Sequence, residues 1–211
     1  HQHLHIWDVE RRNPLVPALE YSGTMTVLSW SPDGKLLATG DSVGIVCIWD
    51  SSTGRLLNIV NSGSKVDGLA WHPSSRYLVS SGHDYAINVW DVENGILKAE
   101  LQESGERRPH WDDCKATVDW SPDGRLIAGS ESRLDVAIWD VSSISDLGGD
   151  EIHKLLTMYG EEFGTTFNNW RWSDDGKTIS TQSYREICIR YFDDMSLVLS
   201  VPIYPRSIDY A

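Results

Sequence analysis

The chain has 211 residues, 40 % of them hydrophobic, and a formal net charge of −13. That length reads as one domain with enough apolar material for a core, and no apolar run reaches the ~18 residues of a membrane helix. The acidic surplus argues against nucleic acid or an anionic membrane as the main partner, because both need a cationic surface; it fits solubility, or a basic protein partner.

The three cysteines, Cys47, Cys114 and Cys188, are odd in number and widely spaced. They read as reduced thiols and not as a disulfide framework, which points to an intracellular, cytoplasmic protein. No basic-then-apolar leader opens the chain. It begins with His1, in the middle of a repeat, so a fragment of a longer protein is expected.

The first element is a half unit over about 1–20, marked by Ile6-Trp7-Asp8. The first full unit, 21–61, shows the pattern most clearly. Met25–Trp30 is apolar and β-prone, and Ser31-Pro32-Asp33-Gly34 is a turn: Pro presets φ and Gly accepts φ > 0. Leu36–Thr39, Ile45–Trp49 and Leu56–Val60 follow as strands, separated by Asp41-Ser42-Val43-Gly44 and Ser51-Ser52-Thr53-Gly54. Four short strands with tight turns predict one antiparallel sheet per unit, with side chains alternating between its faces.

The pattern recurs over 62–103, 114–160 and 163–203. Trp30 and Trp49, Trp71 and Trp90, and Trp120 and Trp139 each stand 19 residues apart; Trp172 and Phe192 stand 20 apart, with Asp193 next. Internal repetition of about 40–50 residues marks a stacked or circular repeat protein. The interior tryptophans read as core, and Cys47 and Cys188, on third strands, as small core residues.

These residues resemble the WD-repeat β-propeller family. The resemblance rests on Trp7-Asp8, Trp49-Asp50, Trp90-Asp91 and Trp139-Asp140 in phase with the Ser-Pro-Asp-Gly turns, and it covers about residues 4 to 203. It implies an all-β propeller of four-stranded antiparallel blades, each Trp-Asp ending a third strand with its Trp buried between sheets. It also implies a ring of about seven blades. Here half a blade and four whole ones are visible, so ring closure by missing blades, or edge pairing with another chain, is expected.

The family's buried polar network is not apparent. Its His falls nine residues before each first-strand Trp, where this chain has Tyr21, Ser62, Trp111 and Phe163. Its Asp falls six before each third-strand aromatic, where Val43, Asp84, Arg133 and Glu186 stand, and only Asp84 matches. The network is therefore expected to be absent from every full blade and replaced by apolar packing.

No catalytic or metal constellation emerges, and no cofactor is expected. Gly40–Gly44 matches GxSxG, but a strand follows it where a nucleophile elbow needs a helix. His1, His3 and His5 read as solvent-facing. His110 with Asp112, Asp113 and Cys114 lacks a second Cys or His at ligand spacing.

Length varies between blades, not within them. Glu103–Lys115 is the longest connection from a fourth strand to the next first strand and carries Arg107, Arg108, His110 and Trp111. Trp111 reads as an anchor or as a residue packed between blades. Turns expected on the same face add Tyr85, Arg133, Tyr184 and Arg185, with Phe163 beside them. Long loops on a rigid scaffold, with aromatic and Arg side chains, suit recognition. The expected function is a non-enzymatic scaffold binding a protein or peptide, basic or mixed in charge. The alternative is a sensor or autoinhibitory WD-repeat module of a nucleotide-hydrolysing or signalling protein.

Overall fold

In a computed structural model of the chain, residues 2–21, 23–101, 116–130, 135–145, 152–158, 169–182 and 186–202 are described. They are almost entirely strand, with one short 3-10 turn over Ser142–Ser145. Four four-stranded antiparallel sheets follow one another along the chain. The first is built from β5 (Met25–Trp30), β6 (Leu36–Asp41), β7 (Ile45–Asp50) and β8 (Leu56–Asn61). The second has β9 (Val66–Trp71), β10 (Tyr77–Gly82), β11 (Ile87–Asp91) and β12 (Ile96–Leu101). The third has β13 (Val118–Trp120), β14 (Leu126–Ser130), β15 (Val136–Asp140) and β16 (His153–Met158). The fourth has β17 (Asn169–Trp172), β18 (Thr178–Gln182), β19 (Glu186–Tyr191) and β20 (Leu197–Pro202).

Before them stands a half-blade. β1 (Gln2–Leu4) pairs with β4 (Leu19–Tyr21), and β2 (Trp7–Asp8) pairs with β3 (Asn13–Pro14). The backbone N–H of Leu15 donates to the Ile6 carbonyl and joins the two pairings into one hairpin.

Each sheet folds because its turns are chemically specified. Ser31 Oγ donates to Asp33 Oδ1 at 2.7 Å, Asp33 Oδ1 accepts from the Lys35 N–H, and the Leu36 N–H donates back to Ser31 Oγ. Ser121 with Asp123 and Ser173 with Asp175 repeat the same bonds. The fourth residue of this turn has φ near +70°, supplied by Gly34, Gly124 and Gly176, but by Ser75 at +61° in the second blade. Gly40–Gly44 forms the β6–β7 turn, where buried Asp41 accepts from the N–H groups of Val43 and Ile45.

The core lies between sheets. Leu69, Trp71, Leu78 and Trp90 of the second blade pack on Ala38, Val46, Ile48 and Val60 of the first. The second and third blades, and the third and fourth, join through equivalent clusters. The half-blade packs Ile6, Val16 and Leu19 on Leu37, Cys47 and Trp49. Trp49, Trp90 and Trp139 are 4–6 % exposed, as the repeat predicts. No cluster joins the fourth blade to the half-blade, so the described residues form an open array and not a closed ring.

Three expectations need correction. Burial does not follow the alternation of faces in the second blade: β10 and β11 are buried at every residue, because this sheet has a neighbour on both faces. Trp30 is 45 % exposed, whereas its counterparts Trp71, Trp120 and Trp172 are buried; the half-blade supplies only its outer two strands, so no inner strand covers Trp30. In the fourth blade the residue facing Ile179 across the ladder, where Trp49 faces Leu37 and Trp90 faces Leu78, is Arg190 and not Phe192. Phe192 instead donates its N–H to the Lys177 carbonyl, as Ser51, Val92 and Val141 do in their blades. Arg190-Tyr191 thus replaces Trp-Asp there, and Arg190 Nη1 donates to the Met195 carbonyl at 3.2 Å.

Candidate functional site

Antiparallel order gives every blade two distinct ends. The turns between first and second strands and between third and fourth strands share one end. The turns between second and third strands, and the connections to the next blade, share the other.

At this second end, Tyr85 is the one residue of the expected recognition set that lies among the described residues. It occupies the β10–β11 turn with φ +60°, and its N–H donates to the Gly82 carbonyl. Tyr85 is only 8 % exposed, so its ring does not stand out as an anchor. Neighbouring Asp84 accepts from Ser64 Oγ at 2.6 Å and from the Ala86 N–H, which ties the turn to the incoming connection. Arg107, Arg108, His110, Trp111, Arg133, Phe163, Tyr184 and Arg185 lie outside the described residues. The strands that bracket them, β12 with β13, β14 with β15, β16 with β17 and β18 with β19, all meet at this end.

Part of the buried polar network is present. Trp49 Nε1 donates to Thr39 Oγ1 at 3.0 Å, and Trp90 Nε1 donates to Ser80 Oγ at 2.9 Å. In the second blade Ser80 Oγ continues to Ser62 Oγ at 3.5 Å, which also accepts from Asn88 Nδ2 at 3.3 Å. Ser62 stands where the family's His was sought. The expectation of apolar packing alone in every blade fails because a small hydroxyl satisfies the same donor. The readable signal was a Ser or Thr ten residues before each of these tryptophans.

At the first end, the Asp that follows each Trp holds its turn. The Ser52 hydroxyl, then the Thr53 and Ser52 N–H groups, hold the Asp50 carboxyl down at about 2. The Ser142 hydroxyl and N–H likewise lower Asp140. Burial works against ionised Asp91, but the Asn94 N–H and Arg76 outweigh it and keep its pKa below the usual carboxylate value.

Two concavities are formed by described residues. One, of about 370 Å³, is shared by the four first strands and includes Trp30, Asp119 and Arg171. Burial raises the Asp119 pKa against the opposing charge of Arg171 and the N–H groups of Trp172 and Trp120. The other, of about 570 Å³, opens at the first end between the third and fourth blades. No group of three metal-ligating side chains occurs among the described residues.

Residues 3–66 match the family model for the anaphase-promoting complex subunit 4 WD40 domain, and residues 54–91 match that for the WD domain, G-beta repeat. The small ribosomal subunit protein RACK1y of Oryza sativa subsp. japonica is 24 % identical over 122 residues. The chain carries the repeats of the WD-repeat β-propeller family. The match with RACK1y takes in 58 % of this chain and 36 % of that protein, so this chain spans little more than a third of it. The Cps50 (Swd1) β-propeller domain of Myceliophteria thermophila superposes with a TM-score of 0.70 at 17 % identity, over 88 % of this chain and 57 % of that one.

The repeat divides the labour inside the Trp-Asp pairs: the Trp locks a seam between sheets, and the Asp fastens the turn beside it. WD-repeat propellers generally act as protein-interaction scaffolds and are generally non-catalytic. Among the described residues, no helix is long and apolar enough to cross a membrane.

Proposed function

We infer that this WD-repeat chain is a non-enzymatic scaffold that binds a protein or peptide on the end where its blades are connected. One observation supports this most: β12 ends at Leu101 and β13 begins at Val118, both buried in the core between the second and third blades, so the stretch 102–117 is anchored at both sides. This segment contains Arg107, Arg108, His110 and Trp111. Arg133, Tyr184 and Arg185, each between a second and a third strand in sequence, and Phe163, between the third and fourth blades, extend the set. Aromatic and Arg side chains dominate interface hot spots. Glu161 and Glu162 steer a basic or mixed-charge partner toward this surface. Tyr85 contributes through its turn and not as an anchor, because its ring is buried.

The overall acidity speaks against nucleic acid as the partner. The matched relatives are named as parts of multi-protein assemblies, an anaphase-promoting complex subunit and a small ribosomal subunit protein, and a cytoplasmic scaffold suits such company. The uncovered sheets at the two ends of the array suit completion of the ring by further blades, or edge pairing with another chain.

Pull-down with the full-length protein tests the site, comparing wild type with Arg107→Ala/Trp111→Ala. Loss of a partner from a mutant that remains folded is the expected result. Unchanged recovery would move the site off this end.

A further inference from the structure

The seams between blades are filled differently at the end that carries the Ser-Pro-Asp-Gly turns. At the first seam, the Asp33 N–H donates across to Ser75 Oγ at 3.2 Å. At the second, the His72 ring lies against Gly124, where any Cβ would collide with it, and edge-on to Trp120 with centroids 4.8 Å apart. At the third, Ser121 holds the position of His72. Gly176, the counterpart of Gly124, has nothing nearer to its missing Cβ than Pro122 Cδ at 3.7 Å. The third seam therefore keeps open the cleft of about 570 Å³.

Its wall carries Asp123, Asp140, Asp174 and Asp175 against one cation, Arg125, among the described residues. Serine hydroxyls bonded to Asp123, Asp140 and Asp175 keep these three carboxyls ionised at neutral pH. Trp172 and Phe192 line the same cleft as an edge-on pair 5.0 Å apart. Trp172 is more than nine-tenths buried, and its indole N–H, like that of Trp120, has no acceptor among the described residues. Its counterpart Trp71 donates to the Ser29 carbonyl of the preceding blade at 3.0 Å.

We propose that this cleft binds an arginine side chain of a basic protein segment. A guanidinium is flat, like the imidazole that fills the neighbouring seam. It offers five donors to the carboxylates, sheds water more readily than an ammonium, and stacks on aromatic faces. Four carboxylates stand against one cation along the cleft, so an Arg-bearing segment has a charge complementarity that a neutral one lacks. This site lies at the opposite end of the blades from Arg107 and Trp111 and does not rest on that surface.

Indole N–H resonances of the ten tryptophans provide the test, with Trp172→Phe identifying the relevant one. The probe is acetyl-Gly-Arg-Gly-Gly-amide, and its control is the same peptide with neutral citrulline. The Arg peptide is expected to move the Trp172 resonance saturably, at least ten-fold more tightly than the citrulline peptide. Asp123→Asn/Asp175→Asn should weaken it at least ten-fold. Ser121→His, which copies the residue of the second blade, should fill the cleft and abolish the shift while the other indole resonances keep their dispersion. An unmoved Trp172 resonance, equal binding of both peptides, or undiminished binding to folded Ser121→His would overturn the proposal.

Discussion

His72 of the second blade and Trp120 of the third meet edge-on, their ring planes 88° apart. The contact closes a seam with a titratable group. Burial of the imidazole pushes its pKa below 6.5, against the raising influence of the Gly124 backbone and Asp123. Its Nδ1 accepts the Ser74 N–H at 3.0 Å, which requires the neutral ring.

The sign of the pH dependence follows. His72 has a lower pKa folded than unfolded, so the unfolded chain takes the proton first. The stabilisation is complete above pH 6.5 and is lost as pH falls below it toward the folded value. Urea midpoints measured between pH 7.5 and 5.5 should fall less in His72→Gln than in wild type. Parallel profiles would show that this ring does not govern the window.

Asp50 belongs to a lower window. Its pKa is depressed, so its contribution is present above the ordinary value of 3.8 and is lost as pH falls through about 2. A carbon-detected carboxyl titration should find Asp50 half-protonated near pH 2. A midpoint at the ordinary value would mean that Ser52 and Thr53 do not hold it in solution.

Replacing Trp49, Trp90 or Trp139 with Ala should cost about 3–5 kcal/mol, the range for large aromatic truncations in cores. Ser80→Ala separates the hydrogen bond from the packing. It leaves the buried Trp90 N–H without its acceptor and should cost about 1–3 kcal/mol. Denaturant unfolding measures each value; a neutral Ser80→Ala would show that the Trp90 bond is dispensable.

The turn glycines should differ in sensitivity. Gly34 has φ +71° with open space where a Cβ would stand, so Gly34→Ala should cost about 1 kcal/mol from backbone conformation. Gly124 has φ +74° and His72 against it, so Gly124→Ala adds an overlap of about 1–3 kcal/mol. Equal losses would place His72 away from this turn in solution.

What the sequence determined by itself was local. Trp spacings of 19 and Ser-Pro-Asp-Gly turns specify where strands start and stop, because the bonds between Ser31 and Asp33, or Asp50 and Ser52, span two residues. The repeat thus identified four sheets, their order and the burial of Trp49, Trp90 and Trp139. Tertiary structure decided which faces are covered. Trp30 and Trp71 have the same local pattern, yet only Trp71 has a full neighbouring blade to bury it. Arg190 reached the tryptophan position by ladder register, which the count of 20 from Trp172 to Phe192 misplaces. The recognition set of Arg107 and Trp111 was legible as composition and loop length alone, since no short-range bond fixes a long connection. The cleft at the third seam required pairing Ser121 with Gly176 across two sheets. Burial and cavities depend on what packs opposite a residue, and strand periodicity carries no information about that partner.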